Sequence, residues 1–99
     1  MYRLNFFIEI RVSGDSARVL KKAIELPFVP YFGLNIETEF ITLELNRLGY
    51  SLKDEAFFTI LEEQNIEIDD VADTVEYWQK SGFEESDIAA FKRKEATVG

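Results

Sequence analysis

The side chains of this sequence that could do chemistry are mostly carboxylates. Six of them, Glu62, Glu63, Glu67, Asp69, Asp70 and Asp73, crowd into a short central stretch. Oxygen ligands at this density suit hard cations such as Ca²⁺ and Mg²⁺. The spacing nevertheless lacks the alternating ligands, central glycine and terminal glutamate of an EF-hand loop. A strand end running into a helix start explains the same residues, because acids in a first helical turn complement the exposed N–H groups and the dipole there. The expectation is therefore no metal site and no cofactor.

What is missing narrows the chemistry further. The chain has no His and no Cys, so there is no imidazole titrating near neutrality and no thiolate nucleophile or ligand. Any acid–base catalyst would have to be a strongly shifted carboxylate or lysine. Ser and Thr lack their usual imidazole base. The five glycines stand singly near element ends, and none forms a phosphate loop. The reading is of a protein that is not an enzyme. A carboxylate-based enzyme or divalent-cation binder is the remoter alternative.

Charge restricts the partners. Eleven basic against nineteen acidic residues leave a net charge of −8, which repels nucleic-acid phosphates and anionic lipid. Residues 1–33 carry five basic and three acidic residues, whereas 34–82 carry three and twelve. The only basic run, Lys92-Arg93-Lys94, fits the C-terminal end of a helix. The residues around Ser81-Gly82 have a superficial likeness to a helix-turn-helix. The second helix would open with Glu84-Glu85-Ser86-Asp87, the wrong charge for reading bases. No direct nucleic-acid binding and no membrane span are expected, since no apolar run approaches 18 residues. With no leader-like stretch at the start and no cysteines, a cytoplasmic location is the expectation.

A second feature could bind without catalysing. Residues 26–34, LPFVPYFGL, hold two prolines and three aromatics and no charge. They must be covered by the fold or by a partner. Phe28, Tyr31 and Phe32 are the candidate contact residues, alongside the six acids.

These groups need elements to position them. From Tyr2 to Val12 every even residue is apolar, the period of a half-buried strand; Phe7 alone breaks the polar odd series. Ser13-Gly14-Asp15-Ser16 reads as a turn. It is followed by a short helix through Ala23 with Val19, Leu20, Ala23 and Ile24 on its face, or by an extended edge segment reaching Leu26. Pro27 makes Leu26 extended in either case. Leu34 and Ile36 alternate, and a bulge or turn at Glu39-Phe40-Ile41 shifts the phase into a strand running through Leu43 and Leu45 toward Tyr50. Residues 51–55 form a hairpin loop before a strand over 56–63 that is apolar on both faces, the mark of a covered strand. Asp69 or Asp70 caps a helix carrying Val71, Ala72, Val75 and Trp78, with Ile68 as a hydrophobic staple and Gly82 as its C′ residue. A second, shorter helix runs from Glu84 or Ser86 to about Lys94, and 96–99 form a flexible tail.

The pattern predicts a single α+β domain over 1–99, a small antiparallel sheet of about four strands with two C-terminal helices packed on one face. LPFVPYFGL, followed by a hairpin ending FFTILEE and a Trp-bearing acidic tail, resembles short bacterial proteins with an LPF-P-GL segment. That likeness implies no activity. The functional expectation is a small acidic protein-interaction module, of adaptor, immunity or inhibitor type, presenting its 34–82 acids or its aromatic segment to a protein partner with a basic surface. The alternative is a structural homo-oligomer, supported by Phe7 on an otherwise polar strand face.

Overall fold

The computed structural model describes residues 1–13, 15–37, 42–63 and 66–86, except for the side chains of Ser16, Glu62 and Glu63. In chain order the elements are β1 (Tyr2–Val12), β2 (Asp15–Leu26), β3 (Asn35–Glu37), β4 (Thr42–Glu44), β5 (Leu48–Ser51), β6 (Ala56–Glu63), a 3-10 turn (Ile68–Asp70), α1 (Val71–Lys80) and β7 (Glu84–Glu85). A five-stranded sheet runs in the order β5-β6-β1-β2-β7, and β3 and β4 form a separate two-stranded ribbon.

The sheet is mixed, which corrects the expected antiparallel arrangement. β1 pairs antiparallel with β2 (Tyr2 opposite Leu26) and parallel with β6 (Leu4 beside Phe57, Ile10 beside Glu63). The parallel pairing joins residues some fifty positions apart, a partner that no local periodicity encodes.

β1 lies at the centre of the sheet and is buried on both faces, not half-buried. Its even residues Leu4, Phe6, Ile8 and Ile10 join Leu20, Leu26, Leu43, Leu45, Val75, Trp78 and Phe83 in the main core, under α1 and the β3–β4 ribbon. Its odd residue Phe7 is only 3% exposed and forms a second cluster with Val19, Phe58 and Ile60 on the opposite face. The support Phe7 gave to a homo-oligomer is thereby withdrawn: the fold already covers this ring, and Lys21 Nζ stands 6.0 Å above it. Between the two faces, β6 behaves as its pattern predicts, with Phe57 and Leu61 packed against the main core and Phe58 and Ile60 in the second cluster.

Residues 15–23 are strand, not helix. Val19 and Leu20 look like helical neighbours, yet on β2 they point to opposite faces, Leu20 into one core and Val19 into the other. A full-length ladder with β1 outweighs the weak local preference for helix. Ser13 turns the chain at φ 53°, and the register shifts between Ile10 and Arg11.

The strand expected to run on to Tyr50 divides at Asn46-Arg47: β4 belongs to the ribbon and β5 to the main sheet. The predicted bulge at 39–41 lies outside the described residues. The 51–55 loop forms as expected, held by Asp54 N–H donating to Ser51 Oγ at 3.1 Å, with Glu55 at φ 52°.

α1 ends in a Schellman motif: Phe83 N–H donates to the Trp78 carbonyl and Gly82 N–H to that of Gln79, with Gly82 at φ 96°. The Trp78 and Phe83 rings meet edge-on at 5.2 Å, completing the motif's apolar contact. Lys22 Nζ donates to the Ser81 carbonyl at 2.8 Å and ties this end to β2. The expected staple is absent, since Ile68 is exposed. The predicted second helix cannot begin at Glu84, because Glu84 and Glu85 form β7 opposite Lys21 and Leu20. That pairing sets acid against base, and Glu85 also pairs with Arg18. The rest of the predicted helix and the tail 96–99 lie outside the described residues.

Candidate functional site

The pairing register defines two ends of the sheet. Tyr2 and Leu26 mark one end, and Ile10 and Glu63 lie toward the other, eight residues or about 26 Å along β1. The residues singled out in the sequence divide between these ends.

Residues 27–34 leave the Leu26 end. Pro30 is buried, Leu34 packs on the core and Gly33 turns at φ 85°, its N–H donating to the Leu45 carbonyl at 2.7 Å. These anchors hold the intervening rings outward. Phe28, Tyr31 and Phe32 are all exposed, Phe32 by 73%, and Val29 with them. The Phe28 and Tyr31 rings lie 6.5 Å apart.

Sequence reasoning missed what joins them. Tyr2 at the start of β1, Tyr50 on β5 and Leu52 in the following turn are also exposed at this end. Tyr50 stacks edge-on against Phe57 at 4.9 Å, and Tyr2 meets the same ring at 6.5 Å. Among the described residues, eight of the ten exposed large hydrophobics (Met1, Tyr2, Phe28, Val29, Tyr31, Phe32, Tyr50 and Leu52) thus gather at one end, from separate segments. Alternation puts Tyr2 on the apolar face of β1, but its nearness to Tyr50 depends on the β5–β6 and parallel β1–β6 pairings.

The acids lie elsewhere. Glu62 and Glu63 sit on β6 beside Glu9 and Ile10, and their side chains are outside the described residues. Glu67, Asp69, Asp70 and Asp73 are exposed around the start of α1. Asp70 occupies the N-cap position without a side-chain cap bond, and Asp73 lies in the first turn. Among the described residues no group of three His, Cys, Asp or Glu is placed to hold a metal ion. Of the acids, Glu62 and Glu63 stand at the sheet end away from Leu26, from which the aromatic segment departs.

Among the described residues, two of the hollows on the surface each measure about 430 Å³. One lies over β1 and β2, lined by Arg3, Asn5, Lys21, Ala23, Glu25 and Asp54 among others. In the ladder Arg3 stands opposite Glu25, Asn5 opposite Ala23 and Phe7 opposite Lys21, so this hollow lies on the Phe7 face. Asn5 is only 2% exposed, and its Oδ1 is a buried acceptor without a hydrogen bond, a feature that costs about 1–3 kcal/mol. The other hollow is lined by residues including Glu44, Arg47, Leu61 and Trp78, whose Nε1–H also lacks a partner.

No family model, curated protein or solved structure matches the chain. The roles of its residues rest on their own geometry. No helix among the described residues is long and apolar enough to cross a membrane.

Proposed function

We propose that the protein is a non-catalytic interaction module that docks a protein partner through its aromatic end. The observation that carries this reading is the convergence of exposed Tyr2, Phe28, Tyr31, Phe32, Tyr50 and Leu52 at one end of the sheet. Exposed rings are costly in water, and their concentration toward one end of the sheet favours a binding surface. Tyr and Phe side chains supply large contact area at low entropic cost, and clusters of them dominate binding energy at interfaces. The buried anchors Pro30 and Leu34 preorganise the segment, so less ordering entropy is lost on docking.

The acids at the start of α1 serve this function from a distance. Exposed around the helix start, they favour approach of a partner with a basic surface and discourage nucleic acids.

The test is affinity capture of partner from lysate of the source organism with three baits: the wild-type chain, Tyr31→Ala/Phe32→Ala, and Asp69→Asn/Asp70→Asn/Asp73→Asn. The expected result is a specific partner retained by the wild type and the Asn variant and lost by the Ala variant. Equal capture by all three would overturn the assignment of the contact. Sedimentation of the purified chain decides whether that partner is a second copy: a concentration-dependent dimer abolished by the Ala variant would replace the external partner with self-association.

A further inference from the structure

Part of the outer edge of β2 is left open by the fold. Ser86 N–H donates to the Val19 carbonyl, and Lys21 stands opposite Glu84. In an antiparallel ladder a residue directs its N–H and C=O to the same side, so the odd residues of β2 turn theirs away from β1. For Val19 and Lys21 that side is taken by β7. Beyond it, the outward groups of Ala23 and Glu25 pair with nothing among the described residues. Pro27, which has no N–H to offer, follows the end of the strand. The open stretch is therefore Lys22–Leu26. Glu25 is exposed and makes no ion pair among the described residues, while Ala23 and Ile24 are half-buried.

An unpaired edge is a template for another strand, and this one is complementary to itself. A twofold axis at Ile24 sets that residue beside Ile24 of a second copy, with Ala23 opposite Glu25 and Lys22 opposite Leu26. Of the possible registers, this one alone lets Ala23 and Glu25 of both copies exchange their main-chain bonds. The length also matches, because the second copy's strand ends at Pro27 where β7 begins at Lys21. On the Phe7 face, Lys21 of each copy lies diagonal to the unpaired Glu25 of the other, within reach of long side chains. On the core face Ile24 meets its own counterpart. The net charge of −8 opposes self-association, yet residues 1–33, which include this edge, hold five bases against three acids.

We propose that two copies of the chain pair antiparallel along Lys22–Leu26 of β2, joining their five-stranded sheets into one. The contact is made by a strand edge and not by the exposed rings, so it goes beyond the partner contact proposed above.

The experiment is sedimentation of the purified full chain from about 10 µM to about 1 mM, with amide exchange measured at both concentrations. A short ladder makes a small interface, so a dimer is expected to form within this range. Its formation should slow exchange of the Ala23 and Glu25 amides by about tenfold or more. Lys22 and Ile24, which face β1, should be slow throughout. Ala23→Pro removes an outward N–H at an edge position that tolerates proline, and should raise the dissociation constant about tenfold or more. Glu25→Lys, an exposed change that sets like charge against Lys21, should raise it about tenfold. Tyr31→Ala/Phe32→Ala should leave it unchanged. The chain has no cysteine, so Ile24→Cys should crosslink selectively to its own copy, since a directly opposed pair of this kind brings its Cα atoms to about 4.5 Å. A monomer at about 1 mM overturns the proposal, as does a dimer in which Ala23 and Glu25 exchange as fast as before. A dimer lost in Tyr31→Ala/Phe32→Ala and kept in Ala23→Pro and Glu25→Lys overturns it too, and assigns self-association to the rings.

Discussion

The aromatic rings and the helix acids are positioned differently. The Leu26 end gathers its rings from β1, the 27–34 segment, β5 and the turn after it, and Pro30 and Leu34 fasten the longest of these to the core. The acids Glu67, Asp69, Asp70 and Asp73 depend instead on one short helix, docked through Val75 and Trp78 and closed by Phe83. The acids it carries are individually solvated and do what acids at a helix start ordinarily do. Charge concentrated in a sequence therefore need not make a site, whereas aromatics scattered through a sequence can make one when the pairing register brings their strand ends together.

The largest effect should come from undocking this helix. Trp78→Ala removes the ring that fills the space between α1 and the sheet, and a loss of about 3–5 kcal/mol is expected in denaturant unfolding. Amide exchange should rise first in α1 while the β1–β2 ladder stays protected. Uniform loss of protection would instead mean that the helix and sheet are one cooperative unit.

Binding energy should divide in the opposite sense. Tyr31→Ala and Phe32→Ala are each expected to cost about 2 kcal/mol or more in partner affinity. Their effect on unfolding should stay within about 0.5 kcal/mol, since both rings are exposed. Unfolding that drops by several kcal/mol would make these rings part of the core.

Gly49 sharpens the account of how the aromatic end is held. A Cβ there would lie 2.6 Å from the Phe58 ring, and Phe58 is buried in the second cluster. Gly49→Ala should cost about 1–3 kcal/mol by overpacking, measured by thermal unfolding, and should perturb the neighbouring Tyr50. A neutral result would show that the Phe58 ring moves freely.

The smallest effect belongs to the acids. Asp73→Asn should lower stability by about 0.3–1 kcal/mol through the helix dipole. In a stopped-flow measurement it should change the partner's association rate more than its dissociation rate.

Much of this was legible in the residues. The strand of Tyr2–Val12, the two-faced strand of 56–63, the loop between β5 and β6, the helix with Trp78 and the Gly82 stop follow from period and cap chemistry. Exposure of Phe28, Tyr31 and Phe32 was foreseen as one of two possibilities. Misreadings arose wherever a distant partner decided. Residues 15–23 became strand because β1 lay beside them, Glu84 became strand because Lys21 offered an edge, and Phe7 became core because both faces of β1 are covered. The hollow at Asn5 was invisible for the same reason: Arg3, Asn5, Lys21 and Glu25 become neighbours only through the β1–β2 register.

The most direct measurement of the central claim is partner affinity at low and high salt, for the wild type and Tyr31→Ala/Phe32→Ala. Screening shortens from about 10 Å at ~0.1 M to about 3 Å at ~1 M salt, so a contact made by rings should keep most of its affinity at high salt and lose it on truncation. Affinity that collapses with salt and ignores the truncation would contradict the account and return the contact to the acids.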